Sequence, residues 1–251
     1  MSIDFSSVCD DFYVSSRLFL KLDMPLERET VLHFFDRIRK EFPTMHRFRR
    51  RDDGCPVLEE EPESGVSRRW IRLEPDSLRF GHFAPPDVAT ARKLAEVILE
   101  HAPYHLTFSE IDYDHLELIY GFDLQYRGNH DQLLAETLWA EHSLCSFLLA
   151  DDVSHAIDAQ TYLGVALTPD CDLQAYVETK SRTTTYEVRT GEYERRPLSV
   201  FLTLRKYWNM DQNGSLSQVA GSLFDRADSL AETKVVPLMV NPLAHAIASR
   251  L

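Results

Sequence analysis

The sequence predicts an α+β protein, a curved and mainly antiparallel sheet with helices packed on one face. Three observations predict it. Leu18, Leu20 and Leu22 alternate strictly with Phe19 and Lys21, the period-2 pattern of a strand with one buried face. Val31, Phe34, Phe35, Ile38 and Phe42 recur at helical spacing and make one apolar stripe. Several strand-like segments then follow one another without an intervening helix, an order that belongs to α+β rather than to alternating β-α units.

Taken in order, residues 12–22 read as a strand. Pro25 stands near the start of the helix that carries the Val31–Phe42 stripe, and Pro43 ends it. From Met45 to Phe83 the chain reads as strands and turns. Arg47, Arg49, Arg50 and Arg51 form a basic run, Asp52-Asp53-Gly54 is a turn, and Glu59, Glu60, Glu61 and Glu63 suggest an exposed loop. Residues 66–73 and 78–83 form a hairpin around Glu74-Pro75-Asp76. A second helix follows Pro85-Pro86-Asp87 with the stripe Val88, Ala91, Leu94, Ala95, Ile98 and Ala102, and Pro103 is expected to stop it.

The second part opens the same way. Tyr120, Phe122, Leu124 and Tyr126 alternate along a strand, and Asn129 with Gln132 resembles a capping box. Strands are expected at 162–167, 173–179, 183–188 and 198–208. A last helix begins at the capping box Ser215/Gln218 and carries Leu216, Val219, Ala220, Leu223, Ala227 and Leu230 on its stripe. Pro237 and Pro242 are expected to break the tail into short helical pieces.

Two successive units of strand, helix, several strands and helix suggest an internal duplication, with halves at 1–107 and 108–251 that together form two domains or one continuous one. By element order alone, the layout resembles the TATA-binding-protein and helix-grip folds. No sequence motif of those families is present, so the resemblance implies architecture and not their functions.

Composition bounds the function. Of 251 residues, 44% are hydrophobic and 27% charged, which suits a globular protein with a sizeable core. The N-terminus is polar and acidic, unlike a signal or transit peptide, and no apolar run reaches the roughly 18 residues of a membrane span, so a cytoplasmic protein with no membrane partner is expected. Cys9, Cys55, Cys145 and Cys171 stand far apart, without zinc-ribbon spacing, and are expected to be reduced. With 27 Lys+Arg against 40 Asp+Glu, the net charge of −13 disfavours nucleic acid as a partner. The excess is concentrated in 108–179, where Arg127 is the single basic residue.

The usual phosphate cradles, Gly-x-Gly-x-x-Gly and the P-loop, are absent, as are Gly-x-Ser-x-Gly and His-Glu-x-x-His. Three constellations remain. Asp112, Asp114 and His115, with Asp151, Asp152 and His155, are the candidate metal ligands, because carboxylate oxygens suit Mg²⁺, Mn²⁺ or Ca²⁺ and an added imidazole suits Zn²⁺. Arg47, Arg49, Arg68 and Trp70 are the candidate contacts for an anion or ligand, since guanidinium forks bind carboxylate and phosphate and also stack on indole. Cys171 lies between two carboxylates, which disfavour its thiolate and make it a poor nucleophile.

The reading that follows is a non-catalytic module that binds a small molecule or a protein. Its groove would be lined by aromatics such as Trp70, Tyr120, Tyr126, Trp139 and Tyr207. The alternative is a divalent-metal-dependent hydrolase built on 108–179. No cofactor is required, a divalent cation being the one candidate, and strand edges are expected to favour a homo-oligomer.

Overall fold

The computed structural model describes residues 4–61, 67–150, 154–209 and 214–250. In chain order the elements are β1 (Asp11–Leu20), α1 (Arg28–Glu41), β2 (Arg47–Arg50), β3 (Pro56–Glu59), β4 (Arg68–Glu74), β5 (Ser77–Phe83) and α2 (Val88–Leu106). After a 3-10 turn (Glu110–Asp112) come β6 (Tyr113–Tyr126), α3 (His130–Leu138), α4 (Ser143–Leu148), β7 (Tyr162–Ala166), β8 (Leu173–Lys180), α5 (Thr185–Thr190) and β9 (Arg196–Tyr207). The chain ends in α6 (Leu216–Leu230), a π-helix (Ala231–Val240) and α7 (Asn241–Ala248).

Among the described residues nine strands form one sheet in the order β2-β3-β4-β5-β1-β6-β9-β8-β7, and every neighbouring pair is antiparallel. β1 alternates a buried row with a partly exposed one, whereas β3 is buried throughout and the edge strands β2 and β7 have no buried position. On β1 the even positions, Phe12 to Leu20, are buried. Register sets Leu18 between Leu78 and Leu116, and sets Phe122 against Val200, so the apolar rows of successive strands share one face. That face joins the buried stripes of α1, α2 and α6 in one hydrophobic cluster. β1 and β6 pair along ten positions at the middle of the sheet, so the sheet runs unbroken across residue 107.

Two glycines are set by close approach. A Cβ on Gly81 would lie 2.7 Å from the Val14 carbonyl oxygen and 2.9 Å from the Trp70 ring, and one on Gly121 would meet the Tyr13 ring at 2.3 Å. Each glycine lets an aromatic ring from the next strand lie flat on the sheet.

Local structure departs from the sequence reading at five places. Glu59, read as part of an exposed loop, ends β3 and is buried. Leu22 is 69% exposed, because β1 ends at Leu20. Pro103 does not stop α2. A proline lacks only its own N–H, and the fully buried Ala102 and Leu106 hold the last turn until Thr107 caps it in the left-handed conformation. Consequently His101 and His105 share one helix, with ring centroids 6.2 Å apart. Residues 183–188 are not a strand. Thr184 and Glu187 form a reciprocal capping box that starts α5, and Gly191 closes it, so local capping outweighs the strand preference of three threonines. Finally, Pro237 is taken up inside the π-helix and Pro242 opens α7, so the tail stays helical.

Candidate functional site

The second face of the sheet lies opposite the one that packs on the α1, α2 and α6 stripes. It is furnished by the odd positions of β1 and their partners, among them Tyr13, Arg17 and Phe19. Arg17 stands between Arg79 and Glu117, and Glu117 stands opposite Arg205. Arg17 donates to Glu74 at 2.7 Å, and Arg205 forms an ion pair with Glu117. The Arg17 guanidinium sits 4.1 Å from the centre of the Phe19 ring, and His115 stacks on that same ring with centroids 4.1 Å apart. Most of this face is thus a lattice of charge and aromatic contacts that satisfy one another.

The exception is a recess of about 310 Å³ on the β2–β5 end. β4 builds its floor, because period-2 geometry sends Arg68, Trp70 and Arg72 to the same side. The tight turn at Pro75-Asp76 brings β5 back with Arg79 opposite Arg72. The β2–β3 hairpin adds Arg49 and Arg51, with Val57 and Glu59. Five guanidinium groups therefore face one lining carboxylate.

These arginines differ in how far they are neutralised. Arg49 donates through Nε to Glu59 at 2.6 Å, a contact that raises its pKa further above the ordinary arginine value. Arg72 reaches Asp53 at 2.6 Å, and Arg79 lies 3.6 Å from Glu74. The Arg68 side chain makes no ion pair or hydrogen bond with any described residue, and the buried Nε atoms of Arg68 and Arg79 have no hydrogen-bond partner among them. Crowded like charges with unused donors are a standing cost, which an anion would offset by accepting those hydrogen bonds.

Of the four predicted ligand contacts, Arg49, Arg68 and Trp70 meet in this recess. Arg47 stands beside it on β2, shared between Glu59 at 3.6 Å and Glu61 at 3.8 Å. Arg72 and Arg79 were missed. A signal for them was present, since the hairpin turn already implies that Arg72 and Arg79 face each other.

The metal candidates do not come together in the same way. Asp112 caps its own turn, accepting from the Ser109 N–H at 2.8 Å and its hydroxyl at 3.2 Å. Asp114 pairs with His115, Oδ2 to Nδ1 at 2.7 Å, and His155 is exposed on a loop. Asp151 and Asp152 lie outside the described residues. Among the described residues no three His, Cys, Asp or Glu side chains gather as a metal-ligand set. The aromatic list divides too. Trp70 and Tyr207 lie on the open face, but Tyr120 is fully buried on the helix side, where its hydroxyl donates to Asp228 at 2.7 Å. Register explains the split, because Tyr120 shares a face with Leu118 and Phe122.

A larger hollow of about 750 Å³ lies between α5 and the start of β9. Its cations are already engaged: Arg196 pairs with Glu187 and Glu194, and Arg127 donates to the Tyr193 carbonyl. Among the described residues no helix is long and apolar enough to cross a membrane. No protein-family model matches the chain, and no curated protein matches it.

Proposed function

We propose that this protein is a non-catalytic binding module that takes a small anionic ligand in the arginine recess on the open face of its sheet. The observation that carries this reading is the gathering of five guanidinium groups in one recess, where Glu59, Asp53 and Glu74 engage Arg49, Arg72 and Arg79 while the Arg68 side chain is unpaired among the described residues. The recess is concave, holds an aromatic wall and lies at the lower end of the usual size range for small-ligand sites.

The test is the thermal midpoint of the full chain in inorganic phosphate and in pyrophosphate, at ionic strength held constant with sodium chloride. At ten times Kd a ligand stabilises the folded state by about 1.4 kcal/mol, or about 3–6 °C for a chain of this size. The rise is expected in the wild type and is lost in Arg68→Gln. No rise with either anion, or an equal rise in the variant, defeats the reading.

A duplicated architecture is part of the same proposal. Its support is that the sheet runs outward from the β1–β6 junction in matching sequence, as β5, β4, β3 on one side and β9, β8, β7 on the other.

A further inference from the structure

We propose that the recess selects a ligand carrying both a planar ring and a phosphate, the chemistry of a nucleoside monophosphate. The inference rests on the anion-binding reading above and adds the ring. Among the described residues Trp70 is the only aromatic side chain that lines the recess, and its indole lies on Gly81, where the missing Cβ brings the ring to within 2.9 Å of the position a methyl group would occupy. The residue is only partly buried and lines the recess, so part of the ring stays open to a ligand. The indole is held in place from beneath, so little freedom is lost when a second ring stacks on it.

Arg68 and Arg72 flank Trp70 two residues away on the same strand face, roughly 7 Å to either side. That is about the reach from a stacked base to its 5′ phosphate across a ribose. A guanidinium fork binds phosphate in two parallel hydrogen bonds, and Arg68, a lining guanidinium whose side chain pairs with no described residue, supplies that fork. Glu59, the cross-strand partner of Trp70, is fixed by Arg49 and offers an acceptor beside the ring for a ribose hydroxyl. The recess suits one nucleotide, and the net charge of −13 repels a long phosphate backbone, so the free nucleotide is the assigned form.

The experiment is isothermal titration of the full chain with adenosine monophosphate, adenosine, inorganic phosphate and a 5′-phosphorylated hexa-adenylate at one ionic strength. Adenosine monophosphate is expected to bind roughly 10- to 100-fold tighter than phosphate, the range that base–aromatic stacking supports. Trp70→Leu is expected to reduce it to the level of phosphate. Trp70→Phe keeps a ring at the site, retains most of the advantage, and guards against a misfolded leucine variant. Equal, Arg68-dependent affinities for adenosine monophosphate and phosphate would overturn the ring and leave the anion reading standing. Adenosine binding as tightly as its monophosphate would overturn the phosphate. Tighter binding of the hexa-adenylate than of the mononucleotide would overturn the assignment to the free nucleotide. If neither phosphate nor adenosine monophosphate binds, both readings fall.

Discussion

Gly81→Ala probes the wall of the recess and the fold that carries it. Gly81 pairs with Ser15 on one side and Trp70 on the other, so its backbone is locked into two ladders. The added methyl group would sit 2.7 Å from the Val14 carbonyl oxygen, a backbone atom that cannot swing away, and 2.9 Å from Cε2 and Cζ2 of Trp70. Overpacking of this kind costs about 1–3 kcal/mol, and the stiffer unfolded chain of alanine returns about 0.4–1 kcal/mol. The net loss therefore centres near about 1.3 kcal/mol, a fall of roughly 3–5 °C in the thermal midpoint at this chain length. Urea unfolding followed by far-ultraviolet circular dichroism gives the free energy, and fluorescence reports the displaced indole. In a Trp70→Leu background the ring clash is gone, so the same substitution costs less by at least about 0.5 kcal/mol, the scale of coupling between touching residues. If Gly81→Ala is as stable as the wild type, the close approach of indole and glycine is wrong, and with it the placement of Trp70.

Phe122 is fully buried where the β6 row meets the helix layer, and Phe122→Ala is expected to cost about 3–5 kcal/mol in chemical denaturation; a loss under about 1 kcal/mol would contradict that position. Asp87 caps α2 by accepting from the Thr90 N–H and hydroxyl, both at 2.7 Å, so Asp87→Ala should lose about 0.5–2 kcal/mol, and Asp87→Asn much less. His82 is 1% exposed, and burial, with the charge of Arg69 added, pulls its pKa from 6.5 down to about 4. Between those values the unfolded chain binds a proton that the folded chain does not. The contribution of His82 is thus intact above pH 6.5 and is lost as the pH falls toward 4. His82→Gln should flatten that limb of the stability profile, and an unchanged slope would show that His82 titrates normally.

Much of the fold was legible because it is written in short-range patterns. The period-2 rows of β1 and β6, the stripes of α1 and α2, the turn at Pro75-Asp76 and the Ser215/Gln218 cap each depend on residues within a few positions of one another. Errors arose where two local rules competed. Three consecutive threonines suggested a strand, but the Thr184–Glu187 cap drew the segment into α5. Pro103 suggested a helix end, but the burial of Leu106 carried α2 one turn further.

By itself the sequence determined the class of architecture, the alternation of each strand and the arginine-rich composition of one segment. Only the tertiary structure decided that β1 pairs with β6 across about a hundred residues and that Tyr120 belongs to the core. Only it could leave Arg68 unpaired among the described residues while its neighbours Arg49 and Arg72 found carboxylates. The physical reason is register. A strand's own sequence sets which residues share a face, whereas the partner strand sets which charges meet, and a shift of one residue would send the whole Arg68-Trp70-Arg72 row to the other side of the sheet.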